Sequence, residues 1–331
     1  MNIKKTKILI TGGAGFIGSH VVKELIDNGY TKIIVLDSLI TGHKEAILDP
    51  AKLIVVDLAD DKKLSEIFRK ERPEVVIHFA AYKEAGESVL NPEKYYKNNI
   101  VNGLNLLSVM KKYGVKNIIF SSSAAVYGNV DVVPITEETP TNPINPYGWT
   151  KLMFEKILSD YDNAYGIRSI SLRYFNAGGA DVDGKLGNNY PKKEDLVSVL
   201  VETALGKKEK FVINGIDYNT PDGSCVRDII HVNDLAVAHV LALEYLINNN
   251  KSDIFNLGSE RGFSVKEAIE TTKKITKKEF TVLEGPRRQG DTETSIASSE
   301  KAKKILTWQL KHNNLKTIIK TAWDWEINKK N

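Results

Sequence analysis

The sequence carries one cysteine, Cys225, in 331 residues. No intrachain disulfide is therefore possible, and no cysteine cluster can hold a metal. A lone thiol suits a reducing compartment. No His, Asp and Glu grouping has metal-ligand spacing, so no metal is expected. No apolar run approaches the roughly 18 residues that a membrane-spanning helix needs. Charge of one sign is scarce as well: 46 Lys and Arg against 42 Asp and Glu leave a net +4. That excess is too small to point to a nucleic-acid partner. The opening residues 1–7 are basic, but the apolar stretch Ile8-Leu9-Ile10 stops at Thr11-Gly12-Gly13, too short for an export signal. The expectation is a cytoplasmic protein with neither membrane nor nucleic acid as partner.

What is present is an ordinary globular balance, 42% hydrophobic and 27% charged residues, which excludes a disordered or collagen-like chain. At roughly 150 residues per domain the length suggests about two domains. The first half alternates short apolar runs with longer amphipathic ones. Lys7–Thr11, Lys32–Asp37, Lys52–Leu58, Glu74–Ala80 and Lys116–Ser121 read as buried strands, and Arg168–Tyr174 as a sixth. Helical stretches are expected over 15–28, 61–71 and 93–113, with another starting near Pro146. Strands alternating with helices predict a Rossmann-type, doubly wound parallel α/β sheet. After about residue 178 the pattern weakens. Loops are expected over 181–195 and 216–223, helices near 196–206, 233–248 and 264–276, and strands at 211–213 and 254–257. The predicted division is a dinucleotide-binding domain over 1–178 and a smaller C-terminal α/β portion over 179–331, with some chain crossing back to the first. The lysines of the final 70 residues read as a solvated surface. No internal repeat or low-complexity segment interrupts the chain.

Two constellations carry chemistry. The first strand runs into Gly12-Gly13-Ala14-Gly15-Phe16-Ile17-Gly18, and a helix follows. Gly12 suits the tight turn, Gly15 a close approach to pyrophosphate, and Gly18 close packing of helix on strand. The helix start then offers free N–H groups to phosphate. Asp37 ends the second strand, where an acid bonds the adenosine ribose hydroxyls and repels a 2′-phosphate, so NAD is expected rather than NADP. Asp57, before Leu58, either bonds the adenine amino group or caps the next helix.

The second constellation follows the fifth strand. Ser121-Ser122-Ser123 leads to Tyr147-Gly148-Trp149-Thr150-Lys151, introduced by Asn145-Pro146, a cap and first-turn pair. Tyr147 and Lys151 stand at i and i+4 on one helical face. A tyrosine is only about 0.1% phenolate at pH 7. A neighbouring ammonium and a nicotinamide cation are expected to lower its pKa, and a drop to about 7 amounts to roughly 4 kcal/mol. Tyr147 is then the general base for a sugar or alcohol hydroxyl, and Ser123 a hydrogen-bond partner of the same oxygen. His78 and His231 read as core residues rather than catalysts.

Together these residues resemble the extended short-chain dehydrogenase/reductase family and, within it, the UDP-glucose 4-epimerase branch. The resemblance covers nearly the whole chain. It rests on 11–20 (TGGAGFIGSH), 78–88 (HFAAYKEAGES), 120–128 (FSSSAAVYG), 145–155 (NPYGWTKLMFE), 172–180 (LRYFNAGGA), 225–236 (CVRDIIHVNDLA), 255–259 (FNLGS) and 285–291 (GPRRQGD). It implies that Phe16, Ile17, Asp37, Ser38, Asp57, Leu58, Phe79, Ala80, Ala81, Lys83, Asn98 and Ser121 line an NAD site beside the glycines. It makes Ser123, Tyr147 and Lys151 catalytic and places Phe175 near the nicotinamide. Asn176, Asp195, Leu196, Arg227, Arg288, Asp291 and Ser295 fall to the UDP-sugar, two arginines suiting a pyrophosphate through forked hydrogen bonds. The implied activity inverts C4 of UDP-glucose and UDP-galactose through a 4-keto sugar. A homodimer is implied as well, paired through helices near 93–113 and 147–162.

Several positions depart from the family pattern. Ala125 stands in place of a threonine, and Trp149 replaces a polar residue at what reads as a packing position. Asp195 stands for an asparagine, an unfavourable charge beside phosphate, and Lys185–Glu194 before it carries three lysines. Ile229 replaces a tyrosine. Ser295 stands where a bulky tyrosine would exclude a 2-N-acetyl group, so UDP-N-acetylhexosamines are expected to be accepted too. The alternatives are a 4-epimerase of another UDP-sugar, such as a glucuronate or pentose, and a non-catalytic NAD-binding regulator. A regulator commonly loses the Tyr or Lys, and both are kept. A dehydratase needs an acid pair where Ala124-Ala125 stands.

Overall fold

A computed structural model of the chain describes residues 3–288 and 292–329. In chain order the first elements are β1 (Ile8–Thr11), α1 (Phe16–Asp27), β2 (Ile33–Asp37), β3 (Lys52–Val55), α2 (Asp61–Glu71) and β4 (Val75–His78). Next come α3 (Ala85–Leu90), α4 (Pro92–Tyr95), α5 (Asn102–Tyr113), β5 (Asn117–Ser123), α6 (Pro146–Tyr165) and β6 (Arg168–Tyr174). Then follow β7 (Asn176–Gly178), α7 (Leu196–Ala204), β8 (Lys210–Asn214), β9 (Val226–His231), α8 (Val232–Asn249) and β10 (Asp253–Leu257). The last are β11 (Gly262–Ser264), α9 (Val265–Thr276), β12 (Thr281–Gly285), β13 (Thr294–Ser295), α10 (Glu300–Leu306) and α11 (Leu315–Asn328). No helix among the described residues is long and apolar enough to cross a membrane.

Two compact units result. The first takes the chain up to Gly128, then Pro140–Arg173 and Ala236–Phe255. Its seven-stranded sheet runs β10-β6-β5-β4-β1-β2-β3, and the ladders β1–β2, β1–β4, β2–β3 and β4–β5 are parallel. Residues of β1, β2 and β4 are buried on both faces, which is why they read as continuous rather than alternating apolar runs. One core cluster joins Leu9, Ile34, Val76 and Ile118 to Leu64 and Phe68 of α2, Leu106 and Met110 of α5, and Phe154 and Leu158 of α6. Each such side chain is worth about 1.5–3 kcal/mol when fully buried. Helix α8 is tied to this unit through Glu244, which accepts from the Tyr30 hydroxyl (3.0 Å) and from Lys4 Nζ (2.6 Å).

The expected elements of this half are present with three changes. The third strand stops at Val55 instead of Leu58, although Val56 and Leu58 stay buried. The single helix expected over 93–113 is α4 and α5 joined by a wide π-helical turn, Tyr96–Val101. Such a turn commonly marks a functional position, and here it presents Asn99 to the site. The run near 254–257, read as part of the smaller portion, is instead the edge strand β10 of the large sheet.

The second unit takes residues Asn129–Thr139, Tyr174–Leu235 and the chain from Asn256 on. Strand β9 is the spine of a small sheet, flanked by β11 and β13, with β7 pairing along it as well. A parallel pair, β8 and β12, stands apart. The core here packs α7, α9 and α11 around Val201, Ile229, Ile269 and Ile318. Ile229, the departure from tyrosine, is one of its buried members.

Candidate active site

The site begins at the carboxyl ends of β1, β2 and β4, where the strand order reverses and doubly wound folds bind their ligands. Gly12 turns the chain with φ +71, and an added Cβ would lie 2.6 Å from the Ala80 backbone nitrogen. At Gly18 a Cβ would lie 2.4 Å from the Gly12 carbonyl oxygen. Both are steric demands of strand, turn and helix meeting closely. Gly15 differs: a Cβ there meets only the Gly12 carbonyl, at 3.3 Å, so it would intrude into open space over the helix start. Gly15 is the N-cap of α1, with no side-chain cap hydrogen bond. The first N–H groups of α1 are thus available to an anion.

Asp37 is buried at the end of β2. Its Oδ2 accepts the Ala14 N–H at 2.9 Å and its Oδ1 the Leu39 N–H at 2.9 Å. The carboxylate therefore shapes the glycine turn while keeping further acceptor positions for a ribose diol. Asp57 does not cap α2; Asp60 does, accepting the Lys63 N–H at 3.0 Å. Asp57 instead closes its own turn onto the Ala59 N–H at 2.8 Å. Leu58 is buried nearby, and Phe79 stacks on His239 with ring centroids 4.9 Å apart. The open cradle, the uncapped helix start and the acid at β2 all fit a dinucleotide.

The second group rests on β5 and α6. Asn145 caps α6 by accepting the Gly148 N–H at 2.9 Å, and Pro146 occupies its first turn. The structure brings Ser123, Tyr147 and Lys151 together. The Ser123 hydroxyl acts on the Tyr147 phenol in favour of its ionised form, and Lys151 Nζ lies 5.8 Å from the Tyr147 ring centroid. Lys151 is buried and donates to the Ser121 carbonyl at 2.7 Å. Burial governs the acidities of the pair in the chain alone. Burial raises the Tyr147 phenol above its ordinary value; Ser123 and Lys83 pull it down without prevailing, and Glu84 adds to the rise. Burial also draws the Lys151 ammonium down to about 7, against the opposing pull of Glu155. Phenolate and ammonium alike are costly where water is excluded.

Sequence reasoning gave no role to the residues that hold this group. The Ser88 hydroxyl accepts the Tyr147 N–H at 3.1 Å. Buried Asn99 donates to the Tyr82 carbonyl and to Thr150 Oγ1, both at 3.0 Å, and accepts the Tyr82 N–H at 2.9 Å. Thr150 in turn donates to the Tyr147 carbonyl at 2.7 Å. Asn99 thus joins the segment carrying Ala80, Ala81 and Lys83 to the first turn of α6. Its neighbour Asn98, the expected NAD contact, donates to Asn99 Oδ1 at 2.9 Å. An amide buried beside a helical apolar pattern was the available signal. His78 is a core residue as expected: Thr11 Oγ1 lies 2.6 Å from its Nδ1, Phe120 and Phe154 flank it, and burial brings it to about 3.

In the second unit, Arg227 on β9 is in register with Ser295 on β13, and Asn176 on β7 pairs Ile229 of the same strand. Three expected substrate residues therefore share one small sheet. The Asn176 amide donates to the Asp228 carbonyl at 2.9 Å. Asp228, which the sequence analysis passed over, is fully buried and accepts from Ser259, Glu260 and Ala297, so it fixes both flanks of Arg227. Phe175 is buried, its N–H on the Leu257 carbonyl at 3.1 Å. Asp195 precedes Leu196 as the N-cap of α7, accepting the Ser198 N–H at 2.9 Å and the Asn188 amide at 3.0 Å. Its charge thereby faces a helix start, where an acid is favourable. Arg288 is exposed beyond β12, while Asp291 lies outside the described residues. Trp149 is no packing residue within the chain, since 38% of it is exposed. Ala125 sits in a short 3₁₀ turn capped by Ser123.

A reversed strand order with a glycine turn, an acid on β2 and a Ser, Tyr and Lys group define a Rossmann-type protein built for NAD. Comparison with known proteins sharpens this. Residues 8–258 match the model of the NAD dependent epimerase/dehydratase family. The UDP-glucose 4-epimerase of Streptococcus mutans is 48% identical over 320 residues, 96% of each chain. The crystal structure of UDP-glucose 4-epimerase from Brucella ovis in complex with NAD superposes with a TM-score of 0.93 at 43% identity, covering 96% of this chain and 98% of that one. The UDP-Glc/GlcNAc 4-epimerase of Campylobacter jejuni does so with 0.86 at 44% identity, covering 97% and 99%. The chain belongs to the NAD dependent epimerase/dehydratase family.

Proposed function

We propose that this chain is an NAD-dependent isomerase that interconverts UDP-glucose and UDP-galactose by inverting the sugar at C4. The observation that carries the chemistry is the Tyr147 phenol with Lys151 Nζ 5.8 Å from its ring centroid and the Ser123 hydroxyl acting on it. NAD, held at the glycine turn and Asp37, would supply the hydride acceptor and donor for C4 and a positive charge beside the site. Tyr147 removes the proton of the 4-hydroxyl and later returns it to the same oxygen. Ser123 donates to that oxygen while its charge changes. Lys151, as an ammonium, stabilises the phenolate form of Tyr147 against the cost of burial. Inversion requires that hydride can reach C4 from either face, so the 4-keto sugar must be able to present both faces. Anchoring through UDP suits this, because the hexose is then free to turn. Arg227, Arg288 and Asp291 are assigned to that anchor, with Asn176, Asp195 and Leu196 at its margin.

Ser295 is assigned to the edge of the hexose pocket. Its small side chain, beside Arg227 in the sheet, leaves room for a 2-N-acetyl group, so UDP-GlcNAc and UDP-GalNAc are further substrates. The chain is taken to work in the cytoplasm as a homodimer, supported by Val101, Trp149 and Met153, large apolar side chains left exposed along the π-helical turn and α6.

The test uses purified protein with UDP-galactose and no added cofactor, following UDP-glucose by NMR. Conversion is expected, because a cofactor regenerated in every cycle can stay bound. No conversion with NAD supplied would overturn the assignment. UDP-GlcNAc is the second substrate, and its failure alone would remove the role given to Ser295.

A further inference from the structure

The end of β5 faces successive turns of α6. The Ser121 carbonyl accepts from Lys151 Nζ at 2.7 Å, Ser122 Oγ donates to Glu155 Oε1 at 2.5 Å, and the Ser123 hydroxyl acts on the Tyr147 phenol. Tyr147, Lys151 and Glu155 stand four residues apart along one helix stripe. The first two carry chemistry, and Glu155 is buried beside Arg173, one turn beyond Lys151. Its side chain is 3% exposed and that of Arg173 5%. Arg173 grips the carboxylate twice, Nε at 2.9 Å and Nη2 at 2.6 Å, and donates from Nη1 to the Tyr127 hydroxyl at 2.9 Å. Replacing a buried ion pair by packed apolar residues is often neutral or stabilising, so stability alone does not account for this one.

We propose that Glu155 is a positioning residue for the Ser123, Tyr147 and Lys151 group: held by Arg173 and Ser122, its carboxylate keeps Lys151 an ammonium and fixes the end of β5 against α6. This rests on the reading that Tyr147 and Lys151 act on the sugar hydroxyl. The groups facing Lys151 can be named. On α6 are the Tyr147 phenol and Glu155, the acid that opposes loss of its proton. On β4 is His78, kept neutral by burial. On β5 are the Phe120 ring, 5.0 Å away, and the Ser121 carbonyl. On β6 is Arg173, paired to the same carboxylate. Removing the negative charge at Glu155 leaves Lys151 with burial and a like charge, both of which disfavour the ammonium.

The experiment titrates ¹³C-labelled lysine in the NAD-loaded protein by NMR, with the Lys151 signal assigned by its loss in Lys151→Arg. Glu155→Gln is expected to lower the Lys151 midpoint by about one pH unit or more. It is also expected to lower kcat about tenfold or more at neutral pH with KM unchanged. Ser122→Ala keeps both charges and is expected to reduce kcat without moving the midpoint. An unmoved midpoint in Glu155→Gln overturns the inference. Should that variant not fold, Glu155→Gln with Arg173→Met removes both members of the ion pair; with the like charge gone as well, a smaller shift in the same direction is expected, and an unmoved midpoint there overturns the inference. A shifted midpoint in a protein that never converts UDP-galactose would uphold the electrostatic link and reject the assigned reaction.

Discussion

At the scale of single residues, the site is an argument between burial and charge. Tyr147 and Lys151 are each pushed toward their neutral forms by the same dry surroundings. Tyr147→Phe removes the proton acceptor alone and is expected to lower kcat about 10²- to 10⁴-fold, with NAD still bound, as steady-state kinetics and cofactor absorbance would read. Lys151 gives a stability test whose sign is fixed. Its folded value, about 7, lies below its ordinary 10.5, so between those values the unfolded chain holds more protons and stability rises with pH. Relative to Lys151→Met, the native protein is therefore expected to gain stability as pH rises from about 7 to 10, with the difference level below 7. Melting temperatures across that range check it, and a flat difference would refute it.

At the scale of elements, the site is held by ties between segments far apart in the chain. Asn99, on the π-helical turn, holds Tyr82 and Thr150 at once. Asn99→Ala strands buried backbone and hydroxyl groups, at about 1–3 kcal/mol for each one left unpaired. It is expected to lower the urea midpoint without changing m, and to weaken NAD retention through the Ala80–Lys83 segment. In the second unit, Glu326 on α11 binds Lys193, Lys207 and Lys329. Burial works against its charge, but the lysines outweigh it and bring the carboxyl down to about 2. A depressed carboxyl stabilises above its ordinary 4.5 and loses that contribution as pH falls toward 2. The stability gap between native protein and Glu326→Gln should stay constant above pH about 5 and narrow below it. Equilibrium unfolding at several pH values measures this. The anchored loop, 185–195, ends at the Asp195 cap, so the anchor steadies the start of α7.

At the scale of the whole molecule, the proposed dimer draws on Val101, Trp149 and Met153, which are among the large apolar side chains left exposed. Trp149, read from sequence as a packing residue, would find its packing partner in the proposed dimer. Trp149→Glu with Met153→Glu is expected to convert a dimer to a monomer in sedimentation velocity, since paired acids cannot be buried in an apolar contact. A native protein that sediments as a monomer would remove the dimer. Much of the first unit was legible because strands buried on both faces and amphipathic helices leave strong periodicity. The second unit was less so. Strand β9 carries Arg227 and Asp228 in its first half, and two charged residues mask an apolar run.

The sequence by itself determined the glycine turn, the acid at the end of β2, the alternation of strands and helices in the first unit, and the i, i+4 pair on α6. Each of these is local chemistry that a few neighbouring residues specify. Only the tertiary structure decided what stands around that pair. Ser121, Ser122 and Ser123 meet α6 across the packing of sheet on helix, Glu155 finds Arg173 from another strand, and Asn99 reaches Tyr82 and Thr150 through a widened helical turn. The acidities of Tyr147 and Lys151 were likewise beyond the sequence, because desolvation depends on which side chains close around a group, and the packed fold alone sets that.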